Sequence, residues 1–385
     1  LLANLDTEGL NIGELLSNKN LGKLSLKVKA KGTIQDNRIT SVHAVGKIPS
    51  VDYKKYSYKN TNFDVAYNGN SAKGKISISD PNIDAELTGA LNNITGNLKT
   101  DITAIVNRLY PQRLNISDKW GNAKFSTQCH IHTTGKDLKN IIAELSMKNF
   151  SFKSTKEEYS ITSLDAAVCP NRININSDFG SIELNGKYNI STIGESICGI
   201  LKKKLPTLPG LNKKIYASDN NFNISANITD TKWLEILAGI PFHTEKPINI
   251  DARINDNTRA IDAKINIPEF SYAEQRFKNG NIILNTVSDT LFADIRLKKM
   301  MENNSDINLS LKANAADNKL KSKLHFDYNT PTRIKGVLNM NTRFYKENNS
   351  NNILLEFEPS ELMVKDTSWQ IRPSSIIYNS RKIQF

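Results

Sequence analysis

Gly69, Gly74 and Lys75 have the spacing of a phosphate-binding loop, in which backbone N–H groups cradle phosphates and a Ser or Thr after the lysine holds magnesium. Here Ile76 follows the lysine, and the stretch reads as a hairpin, not as a turn from strand into helix. It is set aside. Gly194-Glu195-Ser196-Ile197-Cys198-Gly199 approaches a nucleophile elbow, but its second glycine falls one place late and no strand closely precedes it. The one histidine cluster is Cys129-His130-Ile131-His132. Strand alternation puts both imidazoles on one face and Cys129 on the other, so zinc would need a third ligand from elsewhere, and solvated histidines are the expectation. His43, His243 and His325 are isolated, and no carboxylate sits in an apolar run that would fit it for acid catalysis. No catalytic residue, metal or cofactor is expected, and nothing demands an enzyme.

Composition narrows the class further. The chain has 385 residues, ample for a core, yet only 38% are hydrophobic, as suits a thin sheet with one greasy face better than a two-layer globule. The net charge of +12 raises nucleic-acid binding. Its lysines, such as Lys27, Lys29 and Lys31 or Lys319, Lys321 and Lys323, are spread along wet strand faces and not gathered with stacking aromatics, so no nucleic-acid partner is expected. Cys129, Cys169 and Cys198 form no C-x-x-C pair and read as buried thiols. No apolar run approaches the roughly twenty residues of a bilayer span. Leu1 and Phe385 both fall within strand-like pattern, and the chain is therefore expected to be a piece of a longer protein whose membrane anchor lies outside it.

The elements that would position any site come from a period of two. In Ile261, Ala263, Ile265 and Ile267 every second residue is apolar, and the pattern returns from Leu291 to Leu297, from Ile307 to Ala313 and from Leu320 to Phe326. Ser288-Asp289, Asn303-Asn304-Ser305-Asp306 and Asp317-Asn318 are the intervening turn signals. Earlier, Leu24, Leu26 and Val28 alternate before an Asp36-Asn37 turn, and Ile76, Ile78 and Leu87 flank a turn at Asp80-Pro81. A motif recurs: Ile48-Pro49 leads through Tyr53 to Lys59-Asn60, and Ile267-Pro268 through Tyr272 to Lys278-Asn279, with a weaker echo at Phe150-Ser151-Phe152. Each copy reads as a proline-started strand and a short hairpin. Three helices are predicted: over Ile102, Ile105, Val106 and Leu109 up to Pro111; over Ile193, Ile197, Ile200 and Leu201; and from Asp230 to Ile240, stopped by Gly239 and Pro241.

The fold class that follows is mainly β: a long antiparallel curved sheet folded into a groove, with a few short amphipathic helices. One elongated segment would fill 1–385, with sub-repeats at 22–188 and 215–385 joined by a helix and proline-containing linker at 191–214. The alternation phase nominates one inward face. Its members are Leu24, Leu26, Val28, Ile76, Ile78, Leu87, Ile173, Ile175, Ile182, Leu184, Ile224, Ile250, Ile261, Ile265, Ile267, Leu291, Ile295, Leu297, Ile307, Leu309, Leu311, Leu324 and Phe326.

Several strings together give a family likeness: Asn176-Ser177-Asp178-Phe179-Gly180, Leu184-Asn185-Gly186-Lys187-Tyr188, Leu205-Pro206-Thr207-Leu208-Pro209, Ala293-Asp294-Ile295-Arg296, Leu311 through Leu320, and Pro359-Ser360-Glu361 with Asp366-Thr367-Ser368-Trp369 and Arg372-Pro373-Ser374. With these the chain, over most of 20–385, resembles the large TamB-like translocation and assembly proteins (AsmA/TamB-type) of Bacteroidota. The resemblance implies a periplasmic bridge with an inner-membrane helix before this stretch and, after it, a part that meets an outer-membrane BamA/TamA-type assembly protein. It also implies that the middle is a β-groove, and phospholipid becomes the expected partner. Acyl chains suit a continuous apolar trough, because burial contributes about 0.8 kcal/mol per methylene without a directional partner. Two other readings stay open: a scaffold or chaperone that offers β-edges to nascent outer-membrane barrels by strand addition, and a closed β-sandwich serving only as a spacer or adhesin.

Overall fold

The computed structural model describes residues 1–35, 38–136, 141–209, 211, 218–301, 305–330, 332–347, 350–379 and 382–384. The Asp36-Asn37 turn, Asn303-Asn304, most of the 210–217 part of the linker and Phe385 lie outside them. The chain is mainly β, antiparallel and open, and is not closed into a barrel. It divides into two compact units, 1–170 with 174–178, and 171–173 with 179–385. The division lies upstream of the 191–214 segment, which belongs to the second unit.

In unit 1 the strands are β1 (Leu2–Asn11), β2 (Leu21–Gln35), β3 (Arg38–Tyr53), β4 (Tyr56–Tyr67), β5 (Ser71–Ser79), β6 (Ile83–Asn92), β7 (Leu98–Leu109), β8 (Lys124–Gly135), β9 (Ile142–Lys153) and β10 (Glu158–Cys169), with one helical turn, α1 (Ile12–Leu15), after β1. Each strand pairs with the next, so sequence order is spatial order. Such a meander needs only short connections. The segment from Ile102 to Leu109 is strand β7, not the expected helix: Ile102 and Val106 join the apolar face, while Ile105 stands opposite Glu86 and Gln128 on the wet one. Pairing on both sides and β-branched side chains that lose freedom in a helix outweigh the helical spacing.

β11 (Arg172–Ser177) spans the division. Unit 2 continues with β12 (Gly180–Lys187), α2 (Ile193–Lys204), β13 (Asn221–Ile228), the short π-helical turn α3 (Leu234–Ala238), β14 (Phe242–Thr244), β15 (Ile248–Asn255), β16 (Ala260–Tyr272), β17 (Gln275–Val287), β18 (Thr290–Met300), β19 (Asp306–Ala316), β20 (Lys319–Asn329) and β21 (Ile334–Glu347). It ends with β22 (Ser350–Phe357), β23 (Ser360–Val364), β24 (Thr367–Ile371), β25 (Ser374–Asn379) and β26 (Lys382–Gln384). The meander runs from β12 through β13 and β15 to β21, whose two halves pair with β22 and β23. α2 forms where the apolar spacing predicts it. α3 is shorter than the expected helix from Asp230 to Ile240, but Asp230 accepts a bond from the Lys232 N–H and Gly239, at φ 75°, ends it in the left-handed region.

The repeated motif encodes a local bend. Both prolines lie inside their strands rather than at the start, and each copy turns at two residues with positive φ, Lys54-Lys55 and Ala273-Glu274. The return strands then carry Asn60 at φ 55° and Asn279 at φ 54°, with Asn149 at φ 52° just before the weaker echo. Asn tolerates the left-handed region because its short polar side chain can hydrogen-bond locally and offset the crowding of Cβ against the following carbonyl. Register shifts occur beside Asn279 and opposite Asn149, the signature of a bulge that kinks a strand and deepens its twist. Asn279→Val is expected to destabilise the chain by about 1–2 kcal/mol, and Asn279→Gly by less than about 1 kcal/mol. Urea unfolding of the three proteins checks the ranking, and equal loss in both variants would refute the bulge assignment.

Candidate functional site

Alternation and register together assemble the apolar face. In unit 1 one row crosses ten strands: Leu5, Val28, Gly46, Phe63, Ile76, Leu87, Ala104, Cys129, Met147 and Leu164. At about 4.8 Å per strand such a row extends some 43 Å. The sequence-nominated Val28, Ile76 and Leu87 stand in it, Leu24 and Leu26 continue the same face along β2, and Ile78 lies one row over between Thr61 and Ala85. Gly46 has a reason: a Cβ there would sit 2.7 Å from the Phe63 ring, so the glycine lets the aromatic lie across the neighbouring strand.

No member of this row is buried. Ile76 is 40% exposed and Leu87 is 42% exposed. The buried apolar residues of unit 1 gather instead toward one end of the strands, where Leu114 and Ala123 of the β7–β8 connection are fully buried and Phe152, Tyr159 and Ile161 nearly so. Among the described residues of unit 1, then, no second layer covers this row.

Unit 2 resolves the same problem differently. Ile182, Ala226, Ile250, Ile265, Ile282, Ile295, Leu311, Leu324 and Leu338 form one row across nine strands. Leu184 and Ile224 head the adjacent row, Ile261 and Leu291 belong to the next, and on the other side Leu297, Leu309 and Phe326 align, with Ile267 opposite Gly280 and Ile307 opposite Tyr328. Leu184, Ile261 and Leu291 are buried in one cluster with Ile200 and Leu205 of the α2 segment, and Ile173 packs against it. These three are core, covered by the helix that the chain inserts between β12 and β13. Ile250, Ile265, Ile295, Leu311 and Leu324 are only half-buried, as is Ile175 on β11.

Polar contacts at the strand ends hold α2 in place. The Ser196 and Ser218 hydroxyls and the Asn220 N–H donate to Asp256 at 3.0, 2.6 and 3.0 Å. Lys204 is 2% exposed and donates to the Asp289 carbonyl and carboxylate at 2.6 and 2.7 Å. Farther on, the Thr207 hydroxyl donates to the Phe344 carbonyl at 2.6 Å, and the Asn318 amide to the same oxygen at 2.7 Å. Three turns are thus tied to one segment. Sequence reading missed this latch: Lys202-Lys203-Lys204 marks a helix end, but Asp289 lies 85 positions away.

Three open hollows are lined mainly by the opposite, wet face, which sequence reading did not foresee, although the nominated Val28 lines one of them and Leu297, Leu309 and Phe326 another. One, about 1530 Å³ in unit 1, is walled by Lys29, Lys47, Lys73 and Lys75 with Asp64 and Asp101. Two smaller ones in unit 2, about 600 and 420 Å³, are likewise lined by wet-face residues such as Arg296, Asp327, Lys312 and Lys323. A twisted sheet is saddle-shaped, so either face is concave along one diagonal, and long charged side chains raise the walls. The acids are engaged: His43 meets Asp64 at 2.7 Å, and His130 and His132 bracket Asp101 at 3.1 and 3.5 Å, the His130 hydrogen bond chiefly holding that carboxyl below its usual range. Among the described residues no group of three or more His, Cys, Asp or Glu could hold a metal, and no helix is long and apolar enough to cross a membrane. Gly69 to Lys75 is the β4–β5 hairpin, and Ser196 lies within α2.

Compared with known proteins, the chain matches no protein-family model, no curated protein and no solved structure.

The hydrogen bond from Lys204, then its charge and that of Lys203, hold the Asp289 carboxyl below its ordinary value. A depressed carboxyl stabilises the fold above its unfolded pKa of roughly 4, and that stabilisation is lost as pH falls through the folded value. Lys204→Met is expected to lower the thermal midpoint at neutral pH and to flatten the decline between neutral and acid pH. Melting curves across that range check it, and an unchanged acid limb would refute the latch.

Proposed function

We propose that this chain is a non-enzymatic segment whose apolar sheet face receives phospholipid acyl chains, as part of a periplasmic, TamB-like bridge between the inner membrane and an outer-membrane assembly protein. The supporting observation is the uncovered ten-strand row of unit 1, with Ile76 and Leu87 left 40 and 42% exposed. Exposed apolar surface of this extent is costly in water and marks an interaction site. A row of Val, Phe, Ile, Leu and Met with no buried charge offers an acyl chain continuous contact and no directional demand, which fits the want of a catalytic motif. The family likeness stated from sequence supplies the cellular setting in this reading. A closed sandwich fits less well, since its inner face would be buried along the whole row.

Ile76→Asp with Leu87→Asp, at positions already open enough to accept charge, is expected to abolish phospholipid that co-purifies with the wild-type chain while leaving the circular dichroism unchanged. Native mass spectrometry with lipid extraction reads the outcome. A well-folded wild-type chain purified free of lipid would overturn the reading.

A further inference from the structure

The β7–β8 connection of unit 1, residues 110–123, carries a feature that acyl-chain binding does not require. Hydrogen bonds shape the loop: the Ile116 N–H donates to the Pro111 carbonyl at 2.9 Å, the Leu114 N–H to the Tyr110 carbonyl at 3.2 Å, and the Asn115 amide donates to the Lys54 carbonyl in the β3–β4 turn at 3.0 Å. Leu114 is fully buried, whereas Ile116, two residues on, is 51% exposed. A loop so bonded presents the isoleucine to water.

The surroundings of Ile116 suit one kind of partner. Three aromatic rings lie in the loop and the turn it touches, and each has a cation over it: Lys54 over Tyr53 at 5.6 Å, Arg113 over Tyr110 at 4.3 Å and Lys119 over Trp120 at 5.5 Å. These are the three cation–aromatic pairs found among the described residues, and all belong to this one end. Lys54, Lys55, Arg113 and Lys119 are exposed, and no ion pair engages them among the described residues, while the acids of the same segments are Asp52, which accepts from the Lys23 N–H, and Asp118. An exposed apolar residue in a loop and turn that also carry aromatic rings and cations without an ion pair is complementary to an anionic bilayer, where the isoleucine enters the acyl boundary and the cations meet phosphates. A nucleic acid would instead call for rings free to stack on bases, and here cations cover them.

We infer that the 110–123 loop and the Lys54-Lys55 turn form a contact surface for anionic phospholipid bilayers. The contact does not depend on what the apolar sheet face carries.

The test is co-sedimentation of the full chain with vesicles of phosphatidylcholine alone and of equal parts phosphatidylcholine and phosphatidylglycerol. Binding is expected to the anionic vesicles, weakening as salt rises. Each lysine near such a surface contributes roughly fivefold, so Lys54→Gln, Lys55→Gln and Lys119→Gln together should reduce association about a hundredfold. Ile116→Asp should reduce it about tenfold or more through loss of the apolar contact. A control with the same charge change on the wet face of unit 2, Lys312→Gln, Lys321→Gln and Lys323→Gln, should bind as wild type. Equal loss in the control would mean general attraction by the net positive charge and would overturn the assignment, as would no binding to anionic vesicles. Ile76→Asp with Leu87→Asp should keep vesicle binding even if it loses co-purified lipid, which separates this contact from the acyl-chain reading.

Discussion

The period of two, locked by antiparallel pairing, collects nearly every apolar side chain of a long meander on one face. A single-layer sheet cannot bury such a face by itself, since burial needs a second layer. Everything else in the molecule answers that constraint. Unit 2 meets it in part with α2, which seals Leu184, Ile261 and Leu291 under Ile200 and Leu205. Unit 1 has the 110–123 connection near one end of its strands, and among the described residues its long row stays open to solvent. The two units share a pairing scheme and differ in how far the greasy face is covered.

How the covers are held is as informative as what they cover. Besides its apolar contacts, α2 bonds to Asp256 and Asp289, and Thr207 just beyond it bonds to Asn318 and Phe344, all at or near strand ends. Hydrogen bonds of this kind fix position more than they add net stability, because each exchanges for a bond to water. The loop of unit 1 is anchored in the same manner, through Asn115 and through the Tyr58 hydroxyl bonding the Leu114 carbonyl. Covers tied at strand ends leave the middle of each row free. The wet face, meanwhile, takes its hollows from twist and from tall lysines, with acids such as Asp64, Glu86 and Asp294 paired to histidine, lysine and arginine.

Much of the fold was legible in the residues. Alternation in Ile261 to Ile267, Leu291 to Leu297 and Ile307 to Ala313 placed strands and their phase, and the registers put these side chains on one face as the phase requires. The recurring Ile-Pro strand and tyrosine hairpin were legible as a repeat, but only the structure showed that Asn60 and Asn279 take a left-handed φ. Ile102, Ile105, Val106 and Leu109 misled, because four apolar residues fit both periods and only pairing with β6 and β8 decides between them.

Local sequence determined which side of each strand is apolar, where the chain turns and where α2 begins and ends, since these depend on neighbouring residues and backbone sterics alone. Tertiary structure decided which part of the apolar face is covered and which is open, that Lys204 is buried against a carboxylate in a distant turn, that open hollows form mainly on the charged face, and that Leu114 turns inward while Ile116 is held out. Those outcomes rest on contacts between residues far apart in sequence and on the accumulated twist of many strands, neither of which any short window of residues contains.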